Sequence, residues 1–249
     1  MARQTSIITL NGKVGGLSFY KTKDGYFARE KGGVSKSRIM TDPKFARTRE
    51  NLQEFAEAAS AVKLIKDTLR PAIIRSSDSR LHGRLQNALL KMVKSDPINS
   101  RGERKAIEGE WEMLQDLELN KNAGFTSTMR SEFSIVNTAA SFTVNLPELN
   151  PADYLVYPVG TTHFRIFAYG ASVALGGKDR SLTKADTDLM SVSASMPATS
   201  LVVNKAELLE DNKLFILGIE FIQEVNGVEY FMNNGAHNAA VVLLTESPA

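Results

Sequence analysis

Cysteine is absent from this 249-residue chain, so disulfides, zinc–thiolate centres and a cysteine nucleophile are all excluded. Histidine is nearly as scarce. The three present, His82, His163 and His237, lie too far apart to form a local cluster with metal-ligand spacing. Long apolar runs are also missing. The longest, such as Ala239–Leu244, fall far short of the roughly 20 residues of a membrane span. The first residues, Met1 to Gly12, include a basic side chain but no apolar stretch of signal-peptide length. The chain therefore reads as cytoplasmic or part of an assembled particle, although a secreted form with its signal removed would read the same.

What is present suffices for one sizeable core or two small ones, since 43% of residues are hydrophobic and 23% charged. The formal net charge of +2 hides an asymmetry. Residues 1–110 carry 22 Lys and Arg against 12 Asp and Glu, whereas residues 111–249 carry 8 against 16. A cationic front half and an anionic back half can attract each other within one chain, attract between chains head to tail, or engage an external polyanion.

Residues 5–30 have the pattern of a small β-meander. Ser6–Leu10 is β-prone, Asn11-Gly12 and Asp24-Gly25 are turn signals, and Leu17–Tyr20 and Tyr26–Glu30 supply two further strands. Three short strands bury little, so this unit needs a partner surface. Asp42 as N-cap and Pro43 at the first helical position predict a helix over Pro43–Leu69, with Phe45, Leu52, Phe55, Ala59, Val62 and Leu69 on its apolar face. Pro71 ends or kinks it. A second helix is expected over Ser79–Val93. The capping-box spacing of Ser100 and Glu103 predicts a third, running to about Leu114.

From Leu117 onward short β-branched runs dominate. Strands are expected at Phe125–Phe133, Ser141–Leu146, His163–Ala174, Met190–Ser195, Ser200–Lys205, Lys213–Gln223, Val228–Met232 and Ala239–Thr245. Val225-Asn226-Gly227-Val228 is the strongest hairpin signal. The expected fold class is α+β: a basic β-meander plus helical region over 1–116, then an acidic, immunoglobulin-like antiparallel β-sandwich over 117–249. The Cys…Trp…Cys mark of antibody domains is missing, and the one tryptophan, Trp111, precedes the strands.

The chemical motifs are thin. Gly12-Lys13-Val14-Gly15-Gly16 lacks phosphate-loop spacing and reads as turn glycines. Ser60-Ala61-Val62-Lys63 matches S-x-x-K but sits on a helical pattern without accompanying motifs. No GxSxG elbow is present, and His163 lies in an alternating, strand-like segment. His237 falls in a loop-like stretch. Glu207, Glu210 and Asp211 read as a solvated turn. Asp179, Asp186 and Asp188 read as a loop without calcium-loop spacing. For nucleic acid, the basic run Lys31, Lys36, Arg38, Lys44, Arg47 and Arg49 follows the aromatics Phe19, Tyr20, Tyr26 and Phe27, which suit base stacking or a small core. A carbohydrate-binding sandwich has weak support, because no exposed aromatic platform can be assigned: Tyr154, Tyr157 and Tyr169 suit packing equally.

Two stretches resemble a family of uncharacterised proteins from Bacteroidota. One comprises Gly12-Lys13-Val14-Gly15-Gly16-Leu17-Ser18-Phe19-Tyr20, Asp24-Gly25-Tyr26-Phe27-Ala28-Arg29, and Pro43-Lys44-Phe45-Ala46-Arg47-Thr48-Arg49-Glu50-Asn51 with Glu54-Phe55. The other comprises Pro158, Gly160-Thr161-Thr162-His163-Phe164, Gly218-Ile219-Glu220-Phe221 and Gln223-Glu224-Val225-Asn226-Gly227. The resemblance implies a strand-and-helix region followed by a β-sandwich. It implies no activity and supplies no site residues.

The expectation is a non-enzymatic structural or interaction protein, a homo-oligomer forming a filament or ring through strand addition and opposite-charge contacts. The alternative is a nucleic-acid-associated phage or mobile-element protein using its basic half. Lys36, Arg38, Arg47, Arg49, Phe19, Tyr20 and Tyr26 are the candidate interaction residues. No catalytic or metal site, cofactor or small-molecule substrate is expected.

Overall fold

A computed structural model describes residues 1–30 and 32–248. The protein is mixed α+β with antiparallel sheets, and it divides into two compact units, Met1–Arg49 and Glu50–Ala249.

The first unit holds β1 (Ala2–Arg3), β2 (Gly12–Val14), β3 (Leu17–Thr22) and β4 (Gly25–Glu30) in the order β1-β4-β3-β2. Helix α1 (Lys36–Thr41) follows, capped by Ser35, whose hydroxyl accepts from Arg38 N at 3.3 Å. Ser6–Leu10 is not a strand but an exposed loop. The Gln4 side chain ties this loop down, accepting from Leu10 N at 2.8 Å and donating to Leu10 O at 3.2 Å. The Asn11-Gly12 turn is also displaced. Gly12 begins β2, and the chain reverses at Gly15-Gly16 between Val14 and its partner Leu17. Gly-Gly meets the positive φ of that reversal, at Gly15, as readily as Asn-Gly would.

The predicted helix over Pro43–Leu69 is two pieces, and a further helix follows it. Asp42 caps a 3₁₀ turn, Pro43–Phe45, by accepting from Lys44 N at 3.0 Å. Then come α2 (Ala46–Thr68) and α3 (Arg70–Ser76). The break at Leu69 follows from Pro71, which lacks an N–H and fits only the first turn of a new helix. The buried face of α2 is rotated from the expected one. Ala58, Ala61, Val62 and Ile65 are buried, while Leu52 and Phe55 remain 53% and 50% exposed. Glu54 takes the inward position instead, accepting from Gly102 N at 3.1 Å with Arg104 Nη1 at 3.6 Å.

Helix α4 (Leu81–Ser95) matches expectation to within two residues, but 100–114 is not a helix. That segment is a loop organised by buried Asp96. Its carboxylate accepts from Ile98 N at 2.7 Å, Asn99 N at 3.0 Å, Asn99 Nδ2 at 2.9 Å and Lys105 N at 2.8 Å. Ser100 and Glu103 meet side chain to side chain at 3.1 Å within a turn, and only Trp111–Leu114 is helical, as a 3₁₀ turn. Burial works to raise the Asp96 pKa, but the N–H donors of Lys105, Asn99 and Ile98 outweigh it and hold the group at about 2, against an ordinary 3.8. A folded value below the unfolded one stabilises the fold above about pH 4, and this contribution is lost as pH falls towards about 2. Asp96→Asn should therefore lose about 1–2 kcal/mol at neutral pH and flatten the stability profile across that acid window. Urea midpoints measured against pH test this, and an unaltered acid limb in the variant would reject the assignment.

The rest of the second unit comprises α5 (Phe125–Thr128), β5 (Ser134–Asn137), β6 (Ser141–Leu146), α6 (Pro151–Tyr154), β7 (His163–Val173), β8 (Arg180–Asp186), β9 (Met190–Ser191), β10 (Thr199–Asn204), β11 (Asn212–Val225), β12 (Val228–Phe231) and β13 (Ala239–Glu246). The expected strand at Phe125–Phe133 is instead the short α5, which buries Phe125 completely. Asn226 and Gly227, at φ 53° and 78°, make the β11–β12 turn that the sequence signals.

Three strands form one sheet, β10-β6-β5. In the other, β7 and β11 pair along their length. β8 and β9 lie along the outer side of β7, and β12 and β13 along that of β11. Alternation gives this large sheet two buried faces. Phe164, Ile166, Phe215, Leu217, Ile219 and Phe221 meet Phe142, Val144, Leu201 and Val203 of the small sheet. Phe167, Tyr169, Leu214, Ile216 and Val242 meet the helices through Ile65, Leu85, Leu89, Trp111 and Leu114.

The expected boundary at 116/117 is therefore replaced by one at Arg49/Glu50. Helices α2 to α4 cannot form a separate domain, because their apolar faces are buried against the sheet.

Candidate interaction surface

No described residue of Met1–Arg49 is buried. Cross-strand register fixes which side chains share a face, because directly paired residues point the same way. Tyr20 pairs with Phe27, and their rings stack with centroids 6.2 Å apart. Tyr26 pairs with Lys21, and Phe19 with Ala28, on the opposite face. The three predicted aromatics are thus divided: Tyr20 on one side of the sheet, Phe19 and Tyr26 on the other. Each side carries a cation over a ring, Arg29 above Tyr20 at 5.5 Å and Lys21 above Tyr26 at 5.4 Å. Half-buried rings under cations are what a thin two-sided sheet uses in place of a core.

The basic residues differ in availability. Lys36 is exposed on α1. Arg38 faces Asp42 at 3.4 Å and lies 6.0 Å from the Phe45 ring. Arg49 is a strut, its Nη1 donating to Ile39 O at 2.8 Å and to Asp42 O at 2.9 Å. It fixes α1 against the start of α2. Arg47 is exposed at the N-terminal end of α2. Lys31 lies outside the described residues. Dividing the chain where the units divide narrows the net contrast but concentrates the positive charge in the first unit. Residues 1–49 carry 11 Lys and Arg against 3 Asp and Glu, and residues 50–249 carry 19 against 25.

In the second unit the densest polar cluster is one the sequence reading missed. Arg75 of α3 grips Glu220 of β11 through two bonds, Nε to Oε2 and Nη2 to Oε1, both 2.7 Å. Its Nη1 donates to Asp186 Oδ1 at 2.7 Å and to the Tyr169 hydroxyl at 3.1 Å. The guanidinium sits 4.3 Å from the Phe167 ring centroid. Arg165 Nη1 adds a bond to Glu220 Oε1 at 2.9 Å, and its Nη2 reaches Glu229 Oε1 at 3.1 Å. Burial works to lower the Arg75 pKa, but the Glu220 and Asp186 carboxylates more than offset it and raise it. Asp186 is thereby a strand-end ion-pair partner rather than a loop carboxylate. It is held below its ordinary value because the Arg75 and Lys184 hydrogen bonds override its burial. The available signal was Glu220 itself, a lone charge within the apolar run from Leu214 to Ile222.

His163 Nδ1 lies 2.9 Å from Thr162 Oγ1 and 3.6 Å from Glu224 Oε2 at the half-exposed start of β7. Ser60 and Lys63 are both exposed on α2. Among the described residues no group of three or more His, Asp or Glu side chains is placed to hold a metal ion, and no helix is long and apolar enough to cross a membrane. A scan against protein-family models matches none, and searches of curated proteins and of solved structures find no match.

Proposed function

We propose that this is a non-enzymatic interaction protein that assembles with copies of itself, the cationic Met1–Arg49 unit of one copy docking on the anionic Glu50–Ala249 unit of the next. The observation that carries the reading is that the first unit combines a surplus of eight positive charges with no buried described residue. A sheet without a core is stabilised by whatever covers it, and the anionic unit, with a surplus of six negative charges, is a matching cover. A contact between different patches repeats head to tail, giving a filament or a closed ring within an assembled particle.

The second unit serves as the scaffold. Its strand orders, β10-β6-β5 in one sheet and β8-β7-β11-β13 in the other, support an immunoglobulin-like reading of the sandwich. The helical layer on the outer face of the larger sheet is an addition to that plan. The Bacteroidota family resemblance belongs to the same proposal.

Light scattering coupled to size exclusion tests it. Assembly is expected at low salt, weakening at least tenfold in affinity by about 0.5 M salt, where charges are screened beyond a few ångströms. The triple substitution Lys13→Glu, Lys36→Glu, Lys44→Glu should abolish it while leaving the far-ultraviolet circular dichroism unchanged. A monomer at all salt concentrations would overturn the reading. If that monomer retards DNA or RNA on gels with steep salt dependence, the basic unit serves nucleic acid instead.

A further inference from the structure

We propose that the contact between copies is strand addition, with Ser6–Leu10 of one copy joining the open edge of β5 in another. This inference rests on the self-assembly reading and names its atoms. Ser6-Ile7-Ile8-Thr9-Leu10 is uncharged and β-prone, yet it belongs to no ladder. Ile7 is 103% exposed, Ile8 76% and Leu10 47%. Three apolar side chains in one five-residue loop are an unusual load for solvent to carry.

The acceptor is singled out by how the strand margins of the second unit are treated. The outer margin of β13 is covered from within: Asp116 N donates to Val242 O at 2.9 Å, Leu119 N to Ala240 O at 2.8 Å, and Val242 N to Leu117 O at 3.1 Å. β8 carries Arg180, Lys184 and Asp186, and β12 carries Glu229 held by Arg165. Such charges discourage edge pairing. β10 lies alongside β8. β5, Ser134-Ile135-Val136-Asn137, has neither charge nor proline, and all four residues are exposed. Ile135 pairs with Val144, whose side chain is fully buried between the sheets, so Ile135 points inwards. It is nevertheless 41% exposed, because the sandwich stops there. One more strand would cover it.

A second copy is the occupant because the chain itself supplies the uncharged strand, and it carries that strand on the cationic unit that the anionic unit attracts. Extending the loop breaks the two exposed Gln4 bonds to Leu10. New ladder bonds and burial of Ile7 against Ile135 oppose that cost, with Ile8 on the outward face beside Val136.

The absence of native cysteine makes the test direct. Ile8→Cys and a tagged Val136→Cys are mixed as separate chains and oxidised. A disulfide-linked pair containing one tagged and one untagged chain is expected, and should disappear above the salt concentration that dissociates the assembly. Ile135→Lys, at a partly exposed edge position, should weaken assembly at least tenfold with unchanged circular dichroism. If light scattering shows assembly but the mixed disulfide is missing and Ile135→Lys assembles normally, strand addition is overturned and the charge-driven reading survives. If the wild-type chain remains monomeric, both fall.

Discussion

Arg75→Met is expected to destabilise Glu50–Ala249 by about 3–5 kcal/mol, a large share of a domain's usual stability. Removing the arginine leaves the Glu220 carboxylate, 0% exposed, without its two-pronged partner, and it also strips Asp186 and the Tyr169 hydroxyl of a donor. Arg165 still reaches Glu220 Oε1 at 2.9 Å, so the loss should fall toward the lower end of that range. The backbone of Arg75 matters as well, because its carbonyl accepts from Asn238 Nδ2 at 2.7 Å while Asn238 Oδ1 accepts from Phe221 N. Methionine keeps that carbonyl and most of the side-chain volume, so the measurement isolates the charge.

The companion variant decides whether the pair or the orphaned charge dominates. Arg75→Met with Glu220→Gln removes the buried net charge and should recover more than half of the single-variant loss in urea unfolding. A single-variant cost below about 1 kcal/mol would mean that solvent reaches Glu220 and that the cluster does not lock α3 to the sheet.

The sequence was most legible where one periodicity met one environment. β7, β11 and β13 were found to within two residues because both their faces are buried and their composition is nearly continuous, and β6 because its residues alternate between buried and half-buried. β5 and β8 were missed for the opposite reason. As edge strands, half or fully exposed, they lack a sustained apolar pattern: β8 carries Ser, Thr and charge, and β5 is only four residues, with Ile135 and Val136 between Ser134 and Asn137. The face of α2 was misassigned because Leu52 and Phe55 fit the helical period as well as the residues that are buried. Only tertiary hydrogen bonds from the 100–105 loop explain why Glu54 turns inwards. The same loop defeated the capping-box signal, since Asp96 offers the backbone a competing set of bonds. Of the candidate contact residues, Arg49 was indistinguishable in sequence from Lys36. A cation spent on backbone carbonyls has no local signature.

Trp111→Ala should cost about 3–5 kcal/mol, the usual range for emptying a buried tryptophan site. Its side chain is 1% exposed, and its indole Nε1 donates to Lys213 O, at the β11 end of the sheet, at 2.8 Å. The residue precedes every strand of the second unit, so its burial between helices and sheet is what joins the two layers. As the only tryptophan in the chain it also reports on that junction. Unfolding of the wild-type chain followed by Trp111 fluorescence and by far-ultraviolet circular dichroism should give coincident midpoints, because helices and sheet share one core and melt together. A helical unit ending at 116 and melting apart from the strands would separate the two traces. That separation, or a Trp111→Ala loss of less than about 1 kcal/mol, would return the boundary to 116/117 and leave the helices needing another surface to cover Ile65, Leu85 and Leu89.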